Sequence, residues 1–156
     1  MPKSIAVAAL AAFLCWAGGG RGQEVFVAGP AEALAGNVLA VETAGGRRHV
    51  RLRLIEAPPP GALCPAPGGG EWRCGDGSRS ALAGQILGER IACRLAAGES
   101  ETPAAECRAQ TRDLGLWMLL AGWAALRPEA RGVEPGYDEA EALARRLGAM
   151  IWAAGP

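Results

Sequence analysis

The 156-residue sequence predicts an α+β domain built on a small antiparallel sheet. Three observations carry that prediction. Residues 37–55 hold two strand-like runs separated by Ala44-Gly45-Gly46. Two further short strand candidates surround Cys93 and Cys107. Three segments, 76–87, 111–120 and 137–152, carry apolar residues at helical spacing.

Each element has a local reason. Asn37 to Thr43 (NVLAVET) and Arg47 to Ile55 (RRHVRLRLI) form a hairpin in which Val50, Leu52 and Leu54 share one face and Arg51 and Arg53 the other. Pro58-Pro59-Pro60-Gly61 stops it, because proline supplies no N–H to a ladder. Asp76 to Leu87 is the first helix, with Asp76 or Ser78 as cap and Ala81, Leu82, Ile86 and Leu87 as the buried stripe. RIACRL and AECRA follow as strands. Thr111 to Leu120 is the second helix, ended by Ala121-Gly122-Trp123. Tyr137 to Trp152 is the third, with acidic residues in its first turn as the helix dipole prefers. Trp117 and Trp123 read as core, and Trp72 as packing over a bridge between Cys64 and Cys74. There is no internal repeat and no second domain.

Composition narrows the chemistry. The formal net charge is zero, from 16 Lys+Arg and 16 Asp+Glu, and 33 residues are alanine. Lys3 is the only lysine and His49 the only histidine. One histidine argues against a His-dependent triad or a multi-His metal site. Balanced charge argues against a general polyanion binder, whose affinity needs surplus basic groups.

The first 22 residues read as a secretory signal peptide, followed by one domain over 23–156. Met1 to Lys3 start positive, Ile5 to Ala17 run apolar, and Gly20-x-Gly22 offers small residues for cleavage. The apolar run is short for a membrane span. Cys15 follows Ala12-Phe13-Leu14, which lacks the small residues that lipid attachment prefers. Cleavage after Gly22 removes Lys3 and Arg21 and leaves 14 basic residues against 16 acidic. The expected location is exported, periplasmic or secreted, with no membrane contact after cleavage.

Export agrees with the cysteines. Without Cys15 an even set remains, Cys64, Cys74, Cys93 and Cys107, which allows three pairings. We favour Cys64–Cys74 and Cys93–Cys107, each closing a short loop and each contributing about 3 kcal/mol in the chain-entropy account. Zinc is a poor alternative, because no Cys-x-x-Cys pair exists.

Several phrases together resemble the staphylococcal-nuclease (thermonuclease) family. They are VRLRLIEAPPPGALCP, WRCG, RIACRL, AECRAQTRDLGLWMLLAGWAAL and YDEAEALARRLGAMIW, in that order. Against the family pattern V-R-L-x-G-I-D-A-P-E, Val50, Arg51, Leu52, Ile55, Ala57 and Pro58 match. Tyr137, Glu141, Arg145, Gly148 and Trp152 match a closing Tyr-x3-Glu-x3-Arg-x2-Gly-x3-Trp arrangement. The resemblance spans roughly residues 35–152 and implies a five-stranded OB-type barrel with about three packed helices, a fold that cradles single-stranded nucleic acid.

The resemblance also implies a calcium phosphodiesterase site, and here the sequence departs from it. Arg51 stands where the first family arginine stands. One calcium aspartate becomes Asn37, and the other becomes Glu56, whose carboxylate reaches roughly 1.5 Å further. The glutamate that activates water falls on Pro59, and the second arginine on Thr102. Loss of a general base costs about 10²–10⁴ in rate. Loss of a charge-stabilising donor costs about 10²–10³.

The expected function is therefore that of a thermonuclease-like pseudoenzyme: a binding or interaction module with weak or no nuclease activity. It needs no cofactor, its partner is unknown, and weak single-stranded nucleic-acid binding is the partner the fold suggests. On this reading Arg51 is a strand arginine, Asn37 and Glu56 are vestigial metal positions, and Arg47-Arg48-His49-x-Arg51-x-Arg53 is a solvated strand face. The alternative is a calcium-dependent nuclease with a rearranged site, using Glu56, Glu99 or Glu101 as base and Arg94 or Arg108 as the second guanidinium. A third reading is a purely structural periplasmic protein.

Overall fold

A computed structural model describes residues 25–98 and 100–155. The expected signal peptide, with Cys15, and Glu99 lie outside the described residues. The strands are β1 (Phe26–Ala35), β2 (Val38–Thr43), β3 (Gly46–Leu52), β4 (Ile55–Glu56), β5 (Cys64–Pro65), β6 (Glu71–Trp72), β7 (Arg90–Leu95), β8 (Ala104–Ala109), β9 (Arg112–Asp113) and β10 (Ala125–Leu126). The helices are α1 (Cys74–Ile86), α2 (Leu114–Leu120) and α3 (Pro135–Arg146), with short 3-10 turns at Pro128–Ala130 and Met150–Trp152.

Strands β3-β2-β1-β7-β8 lie side by side in antiparallel pairs. A parallel pairing of β3 with β8, Arg51 opposite Ala104 and Leu52 opposite Ala105, closes them into a five-stranded barrel. The class is α+β, a small OB-type barrel with three helices. The hairpin expected over 37–55 is present as β2 and β3. Val50 and Leu52 point into the core with Leu39, Val41, Ile91 and Ala105, all at most 1% exposed. Each large apolar side chain buried this way contributes about 1.5–3 kcal/mol.

Three expectations about elements are corrected. The second strand ends at Leu52, because Leu54 takes a φ of 67° and turns the chain before Ile55. Leu54 is thus only partly buried, and Ile55 replaces it in the core. α1 begins at Cys74, so Asp76 lies within its first turn and neither Asp76 nor Ser78 caps it. Asp76 instead accepts from the N–H of Gly61 at 3.0 Å and from Arg73 at 3.1 Å. Arg73 first, and then the Gly61 bond, hold its carboxyl below the usual range. α2 begins at Leu114, because Arg112 and Asp113 pair back onto β8 and Asp113 caps the helix through the Leu116 N–H.

α3 is also shorter than the 137–152 periodicity suggested. It runs from Pro135 to Arg146, and Gly148, at a φ of 59°, ends it before the last turn of chain. β1 has no counterpart in the sequence-based expectations. Its first half, Phe26 to Pro30, pairs with β7, and its second half, Ala31 to Ala35, pairs with β2.

Both expected disulfides are present. Cys64–Cys74, with Cα atoms 5.6 Å apart, ties the β5–β6 hairpin to the first residue of α1. Cys93–Cys107, with Cα atoms 4.0 Å apart, joins directly opposed residues of β7 and β8 inside the core. Trp72 stands opposite Cys64 in the β5–β6 ladder and meets Trp123 edge-on, with ring centroids 5.9 Å apart. Trp123 and Trp117 are partly buried against the core rather than enclosed by it.

Candidate functional site

The closure of the barrel builds the candidate site. Strand alternation sends Val50 and Leu52 inward, so Arg51 lies on the outer face. Its N–H donates to the carbonyl of Pro103 at 2.9 Å, which places the 102–104 segment beside it. On its other side Arg51 pairs with Val38, and the N–H of Leu52 donates to the carbonyl of Asn37 at 2.8 Å. The chain thus brings together the backbone around Arg51, Asn37 and Thr102. Among the described residues the Arg51 guanidinium makes no ion pair.

Asn37 is buried, and its side-chain Nδ2 faces the carbonyl of Ile55 at 3.5 Å. Glu56 is exposed on β4, where it pairs with Ala125 of β10. Pro59 is exposed in the turn that follows. A calcium ion requires six to eight oxygens, mostly from carboxylates. These residues supply one neutral amide turned to a backbone carbonyl and one exposed carboxylate. Among the described residues no group of three His, Cys, Asp or Glu could hold a metal ion. The donor set does not fit calcium.

The residues named for a rearranged site are distributed differently. Arg94 and Arg108 both engage Glu106, at 2.5 and 3.0 Å. Their hydrogen bonds, Arg94 first, hold the Glu106 carboxyl below its usual range. Glu101 is exposed on the connection between β7 and β8.

Beyond Arg51 the outer face is a network that sequence reading missed. Arg53 forms an ion pair with Glu134 at the start of α3. The Tyr137 hydroxyl donates to Asp113 Oδ1 at 2.7 Å, the same oxygen that caps α2. Burial, and then that bond, push the Tyr137 phenol well above its usual range. Gly115 makes room for the pair, since a Cβ there would stand 2.9 Å from the Tyr137 hydroxyl. The available signal was the Arg51-x-Arg53 alternation, which put both arginines on one face without showing that Glu134 would reach one of them.

No protein-family model and no curated protein matches the chain.

Proposed function

We propose that this chain is an exported, staphylococcal-nuclease-like barrel that acts as a binding or interaction module, with weak or no nuclease activity. The observation that carries the reading is the surroundings of Arg51. The barrel closes so that Arg51, Asn37 and the 102–104 segment are neighbours, yet the side chains supplied there are an amide and a threonine. Neither can act as a base or as a second guanidinium fork. Pro59 cannot accept a proton either.

Two further observations support the resemblance and the location. Leu54 adopts a φ of 67° at the one place where the family pattern has glycine, the residue that takes that conformation without strain. Two disulfides suit an oxidising compartment, and no helix among the described residues is long and apolar enough to cross a membrane.

Calcium tests the reading. An ion that binds the folded chain at a hundred times its dissociation constant stabilises it by about 2.7 kcal/mol. For a domain of this size that raises the melting temperature by several degrees. We expect melts with and without millimolar calcium to coincide. A rise of several degrees that a chelator reverses would favour the calcium phosphodiesterase instead.

A further inference from the structure

The strongest unassigned feature is a groove of about 680 Å³ between α2, the β9 turn and the start of α3. Its size is in the range of ligand pockets, which run from about 300 to 1,000 Å³. α2 reads LGLWMLL and has no polar residue. Leu114, Met118 and Leu119 are buried in the barrel, while Leu116 and Trp117 are half-buried along the groove and Leu120 is 47% exposed. Val133, 53% exposed, faces them from the segment that leads into α3. A helix apolar on all sides normally has every face covered. Here one flank is open.

The charges at the rim are unequal. Asp113 is committed to the Tyr137 hydroxyl, the Leu116 N–H and Arg108, and Glu134 is committed to Arg53. Arg108 is committed to Glu106. Arg112 contacts only neutral oxygens, Gln85 Oε1 at 2.7 Å and the Gln85 carbonyl at 3.4 Å, and among the described residues it has no carboxylate partner. The groove therefore offers apolar walls beside one uncompensated cation.

Resting on the reading of the chain as a binding module, we infer that this groove is its docking site and that the occupant is an apolar peptide segment carrying an acidic side chain. Leucine-sized side chains cover Leu116, Trp117, Leu120 and Val133, and the carboxylate pairs with Arg112. The recognition is a helix or extended segment laid into a hydrophobic groove, with charge setting its register.

The test uses the purified protein and two probes, acetyl-Leu-Asp-Leu-Leu-amide and its Lys counterpart, followed by amide NMR. The Asp peptide is expected to shift the amides of Arg112, Leu116, Leu120 and Val133 and the Trp117 indole. It should bind about tenfold more tightly than the Lys peptide. Leu120→Asp should weaken both peptides, and Arg112→Glu should reverse the preference towards the Lys peptide. If Leu120→Asp loses its near-UV circular dichroism, Val133→Asp replaces it, because Val133 lies on an exposed segment. No shift from either peptide, equal affinity for both, or shifts confined to the Arg51 surface would overturn the inference. Calcium-dependent nuclease activity would overturn the parent reading and leave these shifts measurable, so the two failures are distinct.

Discussion

The N–H of Arg51 donates to the carbonyl of Pro103 at 2.9 Å, and this bond fastens β3 to β8 where the barrel closes. The backbone of Arg51 is structural, whereas its side chain has no ion pair among the described residues. Arg51→Ala should therefore change stability by no more than about 0.5 kcal/mol. Asn37→Asp should cost more, about 1–3 kcal/mol, because it turns a buried amide facing the Ile55 carbonyl into a carboxylate facing it. Urea denaturation of both variants checks the contrast, and a larger loss for Arg51→Ala would contradict it.

Acid should unfold this protein through Glu141. The side chain is buried on α3 and accepts from the Leu126 N–H at 3.0 Å, from Arg131 at 3.0 Å and from Arg145 at 3.3 Å. Burial alone would raise its pKa, but the Leu126 bond and the two arginines outweigh that and lower it. A carboxyl whose folded pKa lies below its unfolded value binds fewer protons when folded. Its stabilisation is complete above the ordinary Glu value of about 4.3 and is lost as the pH falls through the folded value. Glu106, lowered by Arg94 and Arg108, acts in the same direction. Glu141→Ala should cost about 1–3 kcal/mol at neutral pH, because it orphans the buried Leu126 N–H while Arg131 and Arg145 stay in reach of solvent. Glu141→Gln should cost less and flatten the acid limb of a stability-versus-pH curve. An unchanged acid limb in the Gln variant would count against this role.

Gly36 holds α1 against the barrel by having no side chain. A Cβ there would stand 1.8 Å from Ser78 Oγ and 2.8 Å from the Ala57 Cβ. Ser78 is fully buried, and its hydroxyl donates to the Trp123 carbonyl at 2.8 Å. Gly36→Ala must displace that hydroxyl, at about 1–3 kcal/mol. Gly36→Ala in a Ser78→Ala background should cost clearly less than in the native chain. A double-mutant cycle measures this, and full additivity would show that the Ser78 hydroxyl is not what the new methyl displaces, since the Ser78 Cβ, 2.8 Å away, remains in both backgrounds.

Each disulfide should be worth about 3 kcal/mol, since the cysteines are 10 and 14 residues apart. Their consequences differ. Replacing Cys64 and Cys74 by alanine frees the hairpin that seats Trp72 on Trp123. It should alter the near-UV circular dichroism of the tryptophans while the barrel persists. Replacing Cys93 and Cys107 leaves a gap in the core between β7 and β8. It should lower the melting temperature with little tryptophan signal. The reverse assignment of the two effects would refute this.

The strands with alternating side chains, β2 and β3, were legible in the sequence, as were the two pairs of cysteines. β1 was not. Its sequence, FVAGPAEALA, contains a glycine and a proline that read as breakers. Gly29 is required because a Cβ there would stand 1.8 Å from the Glu42 carbonyl oxygen. Pro30 is tolerated where the ladder passes from β7 to β2, at the end of a run of pairs. The helix starts were misread for a related reason. Arg112 and Asp113 fit a helical period, but the turn at Gln110, with a φ of 54°, folds them onto β8 first. At the site, Arg51 was legible as a strand arginine, whereas Arg53–Glu134 and Tyr137–Asp113 depend on contacts 81 and 24 residues apart in sequence. No local pattern carries such pairs.

The most direct measurement is cleavage of single-stranded DNA and RNA by the folded wild-type protein at millimolar calcium, with and without chelator. A double variant, Pro59→Glu with Thr102→Arg, is assayed beside it. With Pro59 and Thr102 where a base and a second guanidinium would stand, no cleavage above the chelated blank is expected for the wild type. Robust wild-type cleavage that the chelator abolishes would contradict the account.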